Sequence, residues 1–452
     1  MATSPSPSPS IDATHDPALR SWVESANDPA SDFPIQNLAL CAFEKAHHGH
    51  SHGHLGVRIG DQILDVGMLV ESGQFADDED LQTALSMPFW NAFAAHPGLW
   101  RRFRERTQRF LSADAPAGQQ ARRLRTKALI PAEGAPLIHP LSVFNYTDFY
   151  ASKHHATTVG SMFRPDNPLL PNYVHVPIGY HGRASSVVLS GTPVKRPRGQ
   201  QAPKEEGGAP TFGPCTMLDY EMELGVYVGA GNRLGEPIDI AGVGEHMLGV
   251  CIVNDWSARD LQRWEYQPLG PFLAKNFATS VSPYVVTMDA LAPFRVPGPE
   301  RAEGDPAPLE YLRSAEDWGL KITVEVALRS AQMREKGMAP HPVSRADFAR
   351  MYWTFAQMVT HHASNGCNLQ PGDLLASGTV SGPAKGERGC LLELTWDGTG
   401  PDGKPKPRTP VPLPTGETRT FLQDGDEVVM RAWCERDGFR RIGLGECRGV
   451  IV

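Results

Sequence analysis

Cysteine is scarce in this chain: seven in 452 residues, an odd number, with no CxxC pair. That excludes a disulfide framework and any ribbon-type zinc site, and it fits free thiols in a reducing compartment. Long apolar runs are absent as well. None approaches the ~18 residues that span a bilayer, so no membrane partner is expected. No run of Lys and Arg exceeds three residues and the formal net charge is −8, which argues against a nucleic-acid partner. The first thirty residues are rich in Ser, Pro, Ala and Asp and lack an apolar stretch, so they do not read as a secretory signal. A soluble, cytoplasmic protein is the expectation.

Glycine and proline are plentiful, 44 and 40 residues, which favours a β-rich chain with many turns. The expected fold class is mainly β with α (α+β), with length enough for two or three domains. Residues 1–32 read as a flexible tail. Residues 33–135 read as a small domain with β pieces at Asn37–Phe43, Leu55–Ile59 and Gln62–Val66, followed by a helical linker over roughly 78–128. Pro and Gly cluster at Leu129–Pro140, and 136–452 reads as one long mixed domain. His47-His-Gly-His-Ser-His-Gly-His54 packs five histidines into eight residues, as a metal-scavenging tract or as a solvated loop insertion. A helix is expected after Ser344, where Ser-Arg-Ala-Asp347 resembles a capping box, with Phe348, Met351, Tyr352, Phe355, Met358 and Val359 on its apolar face.

In Leu218–Val228 the alternation is strict. Glu221 and Glu223 share one strand face, about 7 Å apart, while Tyr220, Met222, Leu224, Val226 and Val228 share the other. The acidic face meets water or lines a cavity; the segment alone leaves both open. A second segment, Cys251–Tyr266, begins as a buried strand that delivers Asp255 to its end. A helical pattern then sets Arg259, Gln262 and Tyr266 at i, i+3 and i+7 on one face. Asp148 is a candidate fourth carboxylate. Four carboxylates brought together stay ionised only around a cation, and an all-oxygen set selects a hard ion such as Ca²⁺ or Mg²⁺.

Asp148 and His155 lie seven apart, so on a helix they would share a face, with His154 about 100° away. His155 is thus the better candidate base, against the alternative of an ordinary satisfied histidine. A base histidine needs a carboxylate to fix its tautomer. Glu393, flanked by apolar residues, is either that buried partner or an edge charge. Lys275 is a lone cation in an apolar segment and needs an anion; with Arg259 it would face an oxyanion or a substrate carboxylate.

Several segments, in order, resemble the fumarylacetoacetate hydrolase family. They include Asn145–Tyr150, His155–Thr157, Met162–Arg164, Val176–Ser186, Asn254–Asp260 and Pro268–Leu273. Further on come Met351–Thr354, His361-His362, Asn365–Asn368, Pro371–Thr379 and Phe421–Glu427. The resemblance covers roughly residues 33 to 452. It implies an SH3-like N-terminal barrel, a β-roll catalytic domain and a homodimer. It also implies hydrolysis of the carbon–carbon bond of 4-fumarylacetoacetate, a small diketo acid, to fumarate and acetoacetate at the end of tyrosine and phenylalanine breakdown. By matching motif, Asp148, Glu221, Glu223 and Asp255 would hold Ca²⁺ or Mg²⁺, with Asp255, Lys275 and Thr279 bordering a second ion. His155 would accept the proton with Glu393 behind it, and Arg259, Gln262 and Lys275 would stabilise negative charge. Tyr150, Arg164, Tyr180, Gln262, Tyr266 and Thr379 would grip the substrate. Ala278 stands where the family commonly has Gly. Other reactions of the wider family, on oxo-acids, use the acidic site without the water-activating pair.

Overall fold

Short apolar segments separated by turns build the N-terminal sheet of the computed structural model, which describes residues 9–47, 50–115, 119–401 and 403–452. Its strands are β1 (Ala39–His47), β2 (His50–Ile59), β3 (Gln62–Asp65), β4 (Leu129–Pro131) and β5 (Leu137–Ile138), in the order β4-β3-β2-β1-β5. Helix α1 (Pro97–Leu111) buries Leu99, Trp100, Phe103 and Leu111, and Phe103 meets Trp90 and Phe93 at ring centroid distances of 5.3 Å. The division expected at residue 135 falls inside this sheet, because Leu137 pairs with Phe43.

The expected flexible tail is a correction. From residue 9 onward the segment is packed, with Val23 and Ala26 buried. Trp22 Nε1 donates to Phe110 O at 2.8 Å and Ser21 Oγ to Leu111 O at 2.9 Å, so this polar strap satisfies carbonyls that the end of α1 leaves open. Residues 1–8 of that expected tail lie outside the described residues. The histidine tract is not a separate loop either: β1 and β2 pair through it, with Ala46 opposite Ser51 and His47 opposite His50. His48 lies outside the described residues.

The rest of the chain stacks two larger sheets. One contains β6 (Tyr146–Phe149), β7 (Gly179–His181), β8 (Val187–Leu189), β9 (Met222–Val228), β10 (Met247–Asp255), β11 (Thr279–Val281), β12 (Val286–Thr287) and β15 (Leu374–Ala376). Its order is β7-β6-β15-β9-β10-β11-β8, with β12 also on β10. The other runs β14-β13-β16-β17, from β13 (Thr323–Arg329), β14 (His341–Asp347), β16 (Glu427–Cys434) and β17 (Ile442–Val450). β17 packs on β10 and β11, and β13 on β9, so β9 and β10 are buried on both faces. A Cβ on Gly225 of β9 would lie 2.8 Å from both Leu374 Cδ1 and Val253 Cγ2, which shows how closely the strands' side chains interlock. Asn37 Nδ2 donates to Gly443 O at 2.8 Å and Gly443 N to Asp32 O at 2.7 Å, tying the start of the chain to its last strand.

Two helix expectations fail. Residues His341–Asp347 form strand β14, paired along β13, and the helix begins only at Phe355. A ladder of partners outweighs a local cap signal; Thr354 and Gln357 form the actual capping box of α4 (Phe355–Ala363). Phe348, Met351 and Tyr352 are buried ahead of that helix. Asp148 and His155 do not share a helix: Asp148 lies on β6, and His155 on α2 (Lys153–Phe163). Helix α3 (Arg259–Glu265) follows β10 as the pattern suggests.

Candidate active site

Three strands of the larger sheet and one connection supply the acidic cluster. β6 carries Asp148, β9 carries Glu223 with Glu221 just before it, and β10 ends on Asp255. One carboxylate oxygen from each lies within 4.8 Å of the other three, and all four residues are buried. The open choice at Glu221 and Glu223 is thereby resolved: their face lines the interior. Tyr180, opposite Asp148 on β7, donates its hydroxyl to Asp148 and Asp255 at 3.0 Å each. Gly378 N donates to Glu223 at 3.1 Å and Thr279 Oγ1 to Asp255 at 3.2 Å.

The cluster is electrostatically unbalanced as it stands. Burial, then the Asp255 charge, pushes Asp148 well above the usual carboxylate range, and burial, then Asp148, does the same to Glu223. Glu221 goes the other way: burial opposes ionisation, but Lys275 and then Arg259 hold it down. Lys275 Nζ sits 2.5 Å from both Glu221 Oε2 and Asp255 Oδ2. Asp148 Oδ1 and Glu223 Oε1 are buried without a hydrogen-bond partner among the described residues. Two orphaned carboxyl oxygens in a cage of oxygen donors fit a hard divalent cation, whose charge would keep both groups ionised.

Beside it, His155 Nδ1 lies 2.7 Å from Glu393 Oε2 across 238 residues of sequence. Glu393 sits on the one-turn helix α5 (Leu391–Leu394) and is the buried partner, not an edge charge. Burial opposes its ionisation, yet His155 holds its pKa down, so the carboxylate accepts from Nδ1–H and leaves Nε2 as the basic nitrogen. Ser381 Oγ, at 2.7 Å, and Cys390 Sγ, at 3.3 Å, also donate to Glu393 Oε2. His155, Cys390 and Glu393 approach closely enough to suggest a second metal site. Burial, then Glu393, raises the Cys390 thiol well above its ordinary value, so it remains a proton donor rather than a thiolate ligand.

Arg259 borders the acidic cluster. Its Nη1 donates to Glu221 at 2.6 Å and to Gln262 at 3.1 Å, its Nε donates to Asp219 at 3.0 Å, and its Nη2 is buried without a hydrogen-bond partner among the described residues. Thr379 Oγ1 is likewise buried and unpartnered, and the Tyr150 ring stands edge-on to His155 at 5.4 Å. Arg164 caps α2 and donates to Pro168 O; Tyr266 caps α3. Asp219, Ser381 and Cys390 escaped the sequence reading. Asp219 alone carried a signal, since it continues the i, i+2 series of Glu221 and Glu223.

The chain matches the family model "Fumarylacetoacetate (FAA) hydrolase C-terminal" over residues 145–452 and "Fumarylacetoacetase N-terminal" over 36–140. Among similar proteins, the fumarylacetoacetase of Bos taurus is 46% identical over 434 residues and that of Homo sapiens 45% over 434. Each alignment covers 96% of this chain and 98% of the relative. The fumarylacetoacetase of Mus musculus is 44% identical over 441 residues, at the same coverage.

Proposed function

The chain belongs to the fumarylacetoacetate hydrolase family, and from that premise we propose how its site hydrolyses 4-fumarylacetoacetate to fumarate and acetoacetate. The observation that carries the reading is the pairing of a four-carboxylate cage with a buried His–Glu couple. His155 Nε2 removes a proton from water, which attacks the carbonyl on the fumaryl side, and Glu393 steadies the imidazolium. Arg259 Nη2, Gln262 and Lys275 meet the resulting oxyanion. Collapse breaks the carbon–carbon bond, the electron pair leaves with the acetoacetate enolate, and the proton held on His155 returns to that carbon. Tyr150, Arg164, Tyr180, Gln262, Tyr266 and Thr379 hold the substrate.

Asp148, Glu221, Glu223 and Asp255 would hold a divalent cation, Ca²⁺ or Mg²⁺, with Lys275 and Thr279 bordering a further ion beside Asp255. Bound there, the cation supplies Lewis acidity that stabilises the diketone oxygens and the departing enolate. The enzyme acts as a homodimer, which light scattering of the purified chain tests. Its place is the cytoplasm, a reading supported by seven unpaired cysteines; cell fractionation tests it. Among the described residues no helix is long and apolar enough to cross a membrane.

The deciding experiment follows loss of fumarylacetoacetate by absorbance on metal-stripped protein, with and without added Mg²⁺ or Ca²⁺. Metal-restored loss with fumarate and acetoacetate as products is expected. Folded, metal-loaded protein that leaves the substrate intact would overturn the reading.

A further inference from the structure

Asp219 is buried two residues ahead of Glu221, and its carboxylate is fully committed. Oδ1 accepts from Leu391 N and from Tyr220 N, both at 2.9 Å. Oδ2 accepts from Leu392 N at 2.9 Å and from Arg259 Nε at 3.0 Å. Leu391 and Leu392 open α5, the single turn that carries Glu393. One carboxylate therefore grips both the segment holding the partner of His155 and the cation that borders the acidic cage.

Neither group is well fixed without it. A four-residue helix has no independent stability, and the N-cap of α5, Cys390, makes no side-chain cap bond. Asp219 provides that cap from 172 residues away, satisfying two backbone N–H groups that the turn cannot use itself. The guanidinium of Arg259 is a rigid planar fork. With Nε held by Asp219 and Nη1 by Glu221, the direction of Nη2 is determined, and Nη2 is the buried nitrogen without a partner. The opposing pull of two carboxylates also keeps Arg259 from folding wholly onto Glu221.

We propose that Asp219 is a positioning residue that sets Arg259 and Glu393 in register with each other. It touches neither substrate nor reacting atoms, and it acts through both. The role rests on the reaction proposed above.

The test is Asp219→Asn, which keeps size and shape. Whichever way the amide turns, its NH₂ faces two N–H donors where an oxygen stood. A misplacement of catalytic groups by about 1 Å costs on the order of 10²-fold, so kcat should fall by about that factor with KM within about threefold. Amide exchange at Leu391 and Leu392 should quicken while the core strands stay protected. In double-mutant cycles, combining Asp219→Asn with Glu393→Gln or with Arg259→Ala should lower kcat by clearly less than the product of the single effects. If the amide variant does not fold, Asp219→Glu keeps the charge, shifts the grip by one methylene and should show the same kcat loss. Wild-type kcat in a folded variant, a change confined to KM, or fully multiplicative effects in both cycles would overturn the role. Wild-type protein inactive on fumarylacetoacetate would instead fault the proposed reaction, and the exchange measurement would still decide whether Asp219 fixes α5.

Discussion

Glu393→Gln removes one charge and little volume from the interior, which makes it the sharpest probe of the His155 couple. The carboxylate has no exposed side-chain surface and stands 2.7 Å from Nδ1. When His155 takes a proton from water, the new imidazolium lies about 4 Å from that charge between group centres. At an effective dielectric near 20 such a pair is worth about 4 kcal/mol. At about 1.36 kcal/mol per decade this amounts to roughly 10³ in kcat. Should the amide NH₂ turn toward Nδ1, it would enforce the wrong tautomer, and the loss would approach ~10⁴. KM should stay within about threefold, because the lost interaction strengthens only as charge develops. Stopped-flow absorbance of substrate loss on folded, metal-loaded variant measures both constants. A kcat within about fivefold of wild type would show that the pair is structural and that another group activates water.

Three other outcomes follow from the same geometry. Burial and neighbouring carboxylates raise Asp148 and Glu223, so the metal-free native state keeps protons that the unfolded chain sheds, and its stability falls as pH rises from about 4 toward those raised values. Added Ca²⁺ or Mg²⁺ should therefore raise the melting temperature more at about pH 8 than at about pH 6; equal shifts would place the ion elsewhere. The Glu393 pKa is lowered, so its contribution to stability is present above its unfolded value and fades as pH falls through the folded one. The denaturant-measured gap between wild type and Glu393→Gln should shrink on acidification, and a gap that widened would contradict the assignment. Gly378 has φ +76°, and a Cβ there would stand 2.3 Å from Phe149 O, while its N–H holds Glu223. Gly378→Ala should destabilise by about 2–4 kcal/mol and weaken divalent-cation binding by calorimetry; a cation affinity equal to wild type would count against the cage.

The acidic residues were legible because strand geometry is local. Period-2 alternation put Glu221 and Glu223 on one face, and an apolar run ending in Asp255 announced a buried strand with a carboxylate at its tip. The helix from Arg259 was legible for the same reason. Spacing misled where the chain changes element: seven residues from Asp148 to His155 suggest a helix face, yet a strand end, a bend and a helix start intervene. No local pattern joins His155 to Glu393 or Asp219 to Leu391, since those contacts exist only once distant strands have paired. The helix expected at Ser344 failed because a ladder on β13 is a non-local partner that outweighs an intrinsic cap preference. Composition also misjudged residues 9–32, where Ser21 and Trp22 donate to the last carbonyls of α1.

The clasp between Asp32, Asn37 and Gly443 carries a consequence for how the protein is made. A ribosome delivers the two ends of this lock more than 400 residues apart, and β17, which covers β10 and β11, is made long after both. The nascent opening segment must wait, with these partners unmade, until β17 has been synthesised; this is the interval in which chaperones bind and aggregation competes. A stop codon just ahead of β17 would spare every side chain of the cage and the His–Glu couple, yet would leave the opening segment unlocked and β10 and β11 without their cover. Loss of such a truncated product would be a failure of assembly, decided before any substrate arrives.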